Sequence, residues 1–338
     1  MRVLSVVGNR PQFIKSAPLS LALRDAAIDE VVVHTGQHWD PEMSQVFFDE
    51  LAIPEPAYRL DLRTSDASAM APAIEEIVER ESPDWVLVYG DTNSTLAGAK
   101  AAGGRRVAHV EAGLRSFDLS MPEERNRIAV DRIAALLLCP DERSSRQLEE
   151  EGVEGRREVV GDVMADATRL FAPLAPPAAF AQPYVALTVH RAANTEPQRL
   201  RAIAAALGEA DARFVFPVHP RTRGTLDAHG IALPGNVHAV EPLGYLEMLS
   251  LVAHATAVVT DSGGLQKEAY WLRVPCVTVR PSTEWVDTVA AGGNRLTEPD
   301  RIAEALDEAS FPEDAPPLYG DGHAAGRVAD ALYASPPQ

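Results

Sequence analysis

The strongest constraint on the fold of this chain is an alternation kept up almost from end to end, in which short, almost wholly apolar runs are separated by amphipathic stretches of helical length. The runs are Val3 to Val7, Val31 to Val33, Trp85 to Tyr89, Val107 to Val110, Leu136 to Cys139 and Val159 to Val160, and helical patterns lie between them. Apolar runs of this length read as strands buried on both faces, and strands alternating with helices give βαβ units and a parallel sheet. Ala172 to Pro183 then breaks the pattern with four prolines and no periodicity, as a linker does. Beyond it the alternation resumes with Tyr184 to Val189, Phe214 to Val218, Val237 to Val240, Ala257 to Thr260 and Cys276 to Val279. The fold class is therefore α/β, with two doubly wound parallel-sheet domains over residues 1–172 and 173–320 and a crevice expected between them. A length of 338 residues agrees with two cores. The remaining 321–338 hold a last helical pattern, roughly His323 to Leu332, which can pack on either domain and is assigned a return to the N-terminal one.

Several functional classes drop out. A net charge of −18 opposes binding to nucleic acid, which needs a basic surface, although a few arginines and amides in a crevice still suffice for a small anion. No run approaches the roughly 20 apolar residues of a membrane helix. The segment Met1 to Gly8 passes straight into a strand pattern without a signal sequence, so a cytoplasmic location is expected. Cys139 and Cys276 both border apolar runs and read as buried, inert thiols. Histidines are scattered and cysteine pairs are absent, so no metal site is expected. Only three lysines stand against 28 arginines, yet Lys15 and Lys267 both fall within motifs.

In parallel sheets ligands gather beyond the carboxyl ends of the strands, and here those ends are polar. The first runs into Gly8-Asn9-Arg10-Pro11-Gln12-Phe13-Ile14-Lys15, a helix start carrying two cations and suited to an anion, or simply a capped helix with two solvated charges. Gly36-Gln37-His38 follows the second. Asp91, Glu111 and Glu123 follow later strands in YGDTNS, HVEAGLRS and MPEERNR and should converge on one crevice, where carboxylates raise one another's pKa. Asp91 reads equally as a helix N-cap, and Glu123 or Glu124 as a first-turn acid. In the second half His190-Arg191 and His219-Pro220-Arg221 occupy strand ends. Thr260-Asp261-Ser262-Gly263-Gly264-Leu265-Gln266-Lys267-Glu268 carries paired glycines at a strand-to-helix junction, which suits a diphosphate, and Glu268 one turn on suits a ribose. A plain strand-to-helix turn is the alternative.

Together GNRPQFIK, TGQH, GDTNSTLAG, HVEAGLRS, MPEERNR, TVHR, HPRT and DSGGLQKEA resemble, in order, the non-hydrolysing UDP-N-acetylglucosamine 2-epimerase family. The resemblance implies a GT-B type of fold with two Rossmann-like domains and a central cleft, and a homodimer. It also implies anti elimination of UDP to a 2-acetamidoglycal followed by readdition to the opposite face, with no redox cofactor. Carried over by motif, Asp91, Glu111 and Glu123 are acid–base candidates, and His190 is catalytic or touches the diphosphate. Arg10, Lys15, His219, Arg221, Ser262, Gly263, Gly264 and Glu268 would hold UDP and the sugar, with Gln37, His38 and Arg191 at the neighbouring strand ends.

Three departures bear on the substrate. Gln12 stands where Glu is usual, the His190-Arg191-Ala192-Ala193-Asn194 segment lacks the acid that generally precedes its Asn, and RTSDASAM replaces a Gly-Ser-rich loop. By contrast MSQVFFDELAIPEP, GDTNSTLAG, QKEAYWLRVPCVTVR and TEWVDTV look more like the branch acting on UDP-2,3-diacetamido-uronic acids and archaeal homologues. UDP-N-acetylglucosamine is the expected substrate and the diacetamido uronate its alternative, whose carboxylate would pair with Arg280, Arg115 or another Arg of the 115–127 segment. A GT-B glycosyltransferase would need one base and an acceptor site rather than three acids, and a binding-only protein would have shed them.

Overall fold

The computed structural model describes residues 1–37, 51, 53 and 55–334. The chain divides into two compact units, 1–170 with 319 onward, and 171–318.

In the first unit seven parallel strands are ordered β3-β2-β1-β4-β5-β6-β7. They are β1 (Arg2–Val7), β2 (Asp29–His34), β3 (Tyr58–Arg59), β4 (Trp85–Tyr89), β5 (Arg106–Val110), β6 (Leu136–Cys139) and β7 (Arg156–Val159). The central strands β1, β4, β5 and β6 are the apolar runs, and they are buried almost throughout because helices cover both faces. The edges differ from expectation. Strand β3 has two residues, and β7 is Arg-Arg-Glu-Val, three places earlier than Val159 to Val160 suggested, because an edge strand does not need an apolar face.

Helices that matter for the site follow β1, β4 and β5: α1 (Arg10–Asp25), α3 (Asn93–Lys100) and α4 (Pro122–Ile133), with α2 (Ala67–Glu81) packed against α3. Asn9 caps α1, with Pro11 in its first turn. Gly8 is required by crowding, since a Cβ there would collide with the hydroxyls of Thr35 and Ser94. The unit is completed by α5 (Glu142–Glu150), α6 (Val163–Phe171, whose final residue opens the second unit) and the late helix α14 (Ala324–Tyr333), which packs on α1. Asp166 of α6 anchors α14 by accepting from the amides of Ala324 and Ala325 at 2.9 and 2.8 Å.

The second unit holds six parallel strands ordered β10-β9-β8-β11-β12-β13. These are β8 (Val185–Thr188), β9 (Phe214–Pro217), β10 (Val237–Val240), β11 (Ala257–Thr260), β12 (Cys276–Val279) and the edge strand β13 (Asn294–Thr297), whose polar Asn-Arg-Leu-Thr gave no apolar run to read. Its helices include α7 (Ala192–Thr195), α8 (Pro197–Glu209), α9 (Pro220–Ala228), α10 (Tyr245–Ala253), α11 (Gly263–Trp271), α12 (Val286–Ala290) and α13 (Ile302–Asp307). Both faces of this sheet are packed, one around Leu187, Phe214 and Val259 and the other around Tyr184, Val258 and Ala269. Cys139 and Cys276 are free and buried.

Each sheet reverses its winding once, at β1/β4 in the first unit and at β8/β11 in the second. Reversal sends the flanking helices to opposite faces and leaves a crevice above the two strand ends. The polar segments after those four strands are Gly8 to Arg10, Gly90 to Asp91, Val189 to Arg191 and Asp261 to Gly264.

Candidate active site

At the first switch point the chain leaves β4 through Gly90, in a left-handed conformation (φ 63°), and delivers Asp91 just ahead of α3. The helix cap is Thr92, whose hydroxyl pairs with Thr95, so Asp91 is released from the capping role that its position suggested. Instead its carboxylate pairs with Arg127 of α4. Arg127 also bonds Glu124 at 2.6 Å, and Glu124 in turn accepts from the amides of Ser116 and Phe117 at 3.0 Å each. Glu124, 1% exposed, therefore ties down the 114–121 loop, while Glu123 beside it is exposed.

Glu111 follows β5 in the left-handed region (φ 70°), which costs a non-glycine residue about 1 kcal/mol and here turns the chain sharply. Its carboxylate meets the Lys15 ammonium from α1. Enclosure pushes the Asp91 carboxyl above its ordinary pKa; Arg127 opposes this, Glu111 adds to it, Lys15 opposes and Glu123 adds. Asp91, Glu111, Glu123 and Lys15 thus form one electrostatic cluster, in which Asp91 holds its proton more tightly than an ordinary carboxyl.

Some other residues of this unit bond within the frame. Gln37 accepts from the Ser94 amide at 3.0 Å and the Ser94 hydroxyl at 2.6 Å, at the start of α3. Gln12, 1% exposed, accepts from the Gly8 amide at 2.8 Å and donates to the Tyr89 carbonyl and the Thr95 hydroxyl at 3.0 Å each. An ionised carboxylate has no proton to give that carbonyl, which is a physical reason for Gln there. Arg115 is not presented to a ligand: it bonds Glu151 through two nitrogens at 2.8 and 2.7 Å and Asp131 at 2.7 Å, with its side chain 2% exposed. Arg10 opens α1 beside the switch point. His38 and most of MSQVFFDELAIPEP lie outside the described residues.

At the second switch point the organiser is Asp261, fully buried and not singled out by the sequence. It accepts from the amides of His190 (3.1 and 3.0 Å) and Arg191 (3.0 Å) and from Asn194 Nδ2 (3.1 Å). Its Oδ1 also lies 3.3 Å from His190 Nδ1. The His190 and His219 rings are 5.6 Å apart, and Arg221 donates to the His190 carbonyl at 3.0 Å. His219 caps α9 by accepting from the Arg221 amide at 3.1 Å, so its Nε2 side is the one turned to other partners.

Ser262 caps α11, leaving Gly263 and Gly264 in its first turn. A Cβ on Gly264 would meet nothing within 4 Å, so no packing demands glycine; open space adjoins a helix N-terminus instead. Further along α11, Lys267 is buried with its ammonium 3.6 Å from the centre of the Trp285 ring, and Glu268 is 8% exposed. Arg280, also expected to meet the ligand, forms a two-pronged pair with Glu284 at 3.0 Å per bond. No group of metal-ligand spacing occurs among the described residues, and none of their helices is long and apolar enough to cross a membrane.

Comparison with known proteins agrees with this reading. Residues 21–333 match the family model described as UDP-N-acetylglucosamine 2-epimerase. The chain is 44% identical to a UDP-2,3-diacetamido-2,3-dideoxy-D-glucuronate 2-epimerase of Pseudomonas aeruginosa, over 98% of this chain and 99% of that one. It is 39% identical to a UDP-N-acetylglucosamine 2-epimerase of Methanocaldococcus jannaschii, over 88% of each. The crystal structure of a UDP-GlcNAc 2-epimerase from M. jannaschii in complex with UDP-GlcNAc and UDP superposes with a TM-score of 0.91 at 35% identity, covering 99% of this chain and all of that one. The α/β, GT-B type of fold is accordingly shared with these enzymes, and the chain, an isomerase, belongs to the UDP-N-acetylglucosamine 2-epimerase family.

Proposed function

We propose that the enzyme inverts C2 of a UDP-linked 2-acetamido sugar, with UDP-N-acetylglucosamine as substrate. The supporting observation is the Asp91, Glu111, Glu123 and Lys15 cluster, in which burial raises the proton affinity of Asp91 while Glu111 meets the Lys15 ammonium. One ionised carboxylate takes the C2 proton as the C1–oxygen bond to UDP breaks, leaving a 2-acetamidoglycal. UDP then adds back to C1 while a protonated carboxyl delivers hydrogen to the other face of C2. The leaving diphosphate needs cations and oriented amides; the α11 N-terminus at Ser262 to Gly264, with His190, His219 and Arg221, supplies them, and Glu268 takes the ribose hydroxyls. No redox cofactor takes part.

A second reading, the UDP-2,3-diacetamido uronate, is favoured by the 44% identity to the Pseudomonas enzyme of that name. The pairing of Arg280 with Glu284 counts against Arg280 as the receptor of a substrate carboxylate. The resemblance further supports a cytoplasmic homodimer that supplies manno-configured sugars for cell-surface polysaccharide, with no nucleic acid or membrane partner. Incubation in D₂O with each UDP-sugar, followed at C2 by proton NMR, tests the reaction. Deuterium at C2 together with the manno epimer is expected, first with UDP-N-acetylglucosamine. Exchange with neither sugar by a protein that binds UDP overturns it.

A further inference from the structure

We propose that His109 is a buried imidazolium, protonated on both ring nitrogens, which acts as a positioning residue and fixed positive charge behind the acid–base carboxylates. The inference rests on the assignment of Asp91 and Glu111 as those carboxylates. His109 lies on β5 two residues before Glu111, and its side chain and that of Asp131 are fully buried. Its Nδ1 is 2.7 Å from Asp131 Oδ1 and its Nε2 is 2.7 Å from the Gly90 carbonyl oxygen.

A carbonyl oxygen can only accept, so Nε2 carries a proton. An ionised carboxylate also only accepts, so Nδ1 carries one too. Asp131 is held ionised by its surroundings: its Oδ2 takes Arg115 Nη1 at 2.7 Å and the Gly113 amide at 3.4 Å. Burial pushes the Asp131 carboxyl upward, but His109 and Arg115 outweigh it and leave its pKa below the ordinary value. Turning the ring over would set ring carbons 2.7 Å from both oxygens, inside van der Waals contact.

The placement gives the charge a purpose. Gly90 is gripped on both sides, its amide donating to the Val110 carbonyl at 2.9 Å and its carbonyl held by His109. Asp91 is the next residue. A Cβ on Gly90 would lie 3.3 Å from Glu111 Oε2 and 3.4 Å from Lys15 Nζ, so the same peptide backs the Lys15–Glu111 pair. The ionisable groups around His109 are Asp131 with Arg115 and Glu151, the Lys15–Glu111 pair, and Asp91 with Arg127 and Glu124. The neighbouring Cys139 thiol, pushed up to about 12 by burial and by Asp131, stays neutral. Two acids, Asp131 and Glu151, are balanced here by two cations, Arg115 and the His109 imidazolium, so loss of the imidazolium proton would leave this buried group one charge more negative beside Asp91 and Glu111.

Nitrogen-15 NMR of the wild-type enzyme reads the charge directly. Two protonated ring nitrogens for His109 at neutral pH are expected; a single-proton tautomer overturns the proposal whether or not the enzyme proves to be an epimerase. His109→Gln keeps an amide donor for Gly90 but removes the charge. It should raise the carbon-13 titration midpoints of the Asp91 or Glu111 carboxyls, and the acid limb of C2 exchange, by about one pH unit while KM changes less than about threefold. A merely structural histidine would leave both unmoved once Gln restores the bond, and that result refutes the role. If His109→Gln does not fold, Asp131→Asn should convert the wild-type ring signal to one proton, and persistence of two protons counts against the pairing. A wild type that exchanges no C2 hydrogen while showing the doubly protonated ring would instead dismiss the proposed reaction alone.

Discussion

Asp261 holds His190 from two directions, accepting the histidine's own backbone amide at 3.1 and 3.0 Å while its Oδ1 stands 3.3 Å from the ring Nδ1. One buried carboxylate therefore sets both the exit of the chain from β8 and the face that the imidazole turns outward. Asp261→Asn keeps the shape but trades one acceptor oxygen for an NH₂ group facing donors. The variant should lose about 2 to 3 kcal/mol by urea unfolding. Its C2 exchange rate should drop at least tenfold, because His190 loses its orientation. Unchanged stability would mean that the amides find other acceptors.

Arg127 joins Asp91 to Glu124 and through Glu124 to the 114–121 loop. Arg127→Met strands two enclosed carboxylates, a change worth about 3 kcal/mol when a buried pair is broken. Since Arg127 opposes the upward pressure on Asp91, its removal should move the acid limb of the pH–rate profile further upward. A limb that stays in place would take Asp91 out of the rate-determining ionisation.

Glu30 on β2 offers a stability test away from the catalytic cluster. It accepts from the Ser5 hydroxyl at 2.5 Å, and burial pushes its pKa up against that hydrogen bond. A carboxyl raised in the folded state favours folding when protonated, so this contribution is full at low pH and is lost as pH rises from the unfolded value through the folded one. Glu30→Gln should therefore gain about 1 kcal/mol at pH 7 and little below pH 4. Thermal unfolding at the two pH values checks the sign.

Arg280→Ala distinguishes a scaffold arginine from a substrate receptor. Burial pushes the Glu284 carboxyl up, but Arg280 outweighs it and leaves the pKa lowered, so the pair stabilises the fold above the unfolded value and loses that contribution as pH falls through the folded one. The variant should melt several degrees lower at pH 7, about 2 to 4 °C per kcal/mol for a unit of this size. It should slow both UDP-sugars alike. Selective loss of the uronate reaction would restore Arg280 as its carboxylate partner.

The architecture was legible where burial dictates residue type. Val3 to Val7, Trp85 to Tyr89 and Ala257 to Thr260 are central strands covered on both faces, so little but aliphatic and aromatic side chains fits them. Tyr58–Arg59, Arg156–Val159 and Asn294–Thr297 lie at sheet edges, where that demand lapses and polar sequence hides the strand. Strand-end polarity likewise pointed to the neighbourhood of the candidate site, but not to the pairing inside it. Arg115 and Arg280 were expected to meet an anionic ligand, yet each is engaged by acids of the same chain, one of them 36 residues away. Asp261 was hidden for the converse reason: within a glycine-rich turn it reads as part of a phosphate loop, and only the spatial adjacency of β8 and β11 brings three donors to it.

Because α14 packs on α1, the segment 171–318 is an insertion within the first unit rather than an appendage after it. Synthesis proceeds from the amino end, so the ribosome must deliver all of the second unit before the Asp166 carboxylate can receive the amides of Ala324 and Ala325. The nascent first unit waits with one flank of α1 uncovered, and the second, continuous in sequence, can mature ahead of it. A ribosome stalled shortly before residue 324 would release a chain whose later-made half is finished and whose earlier-made half is not.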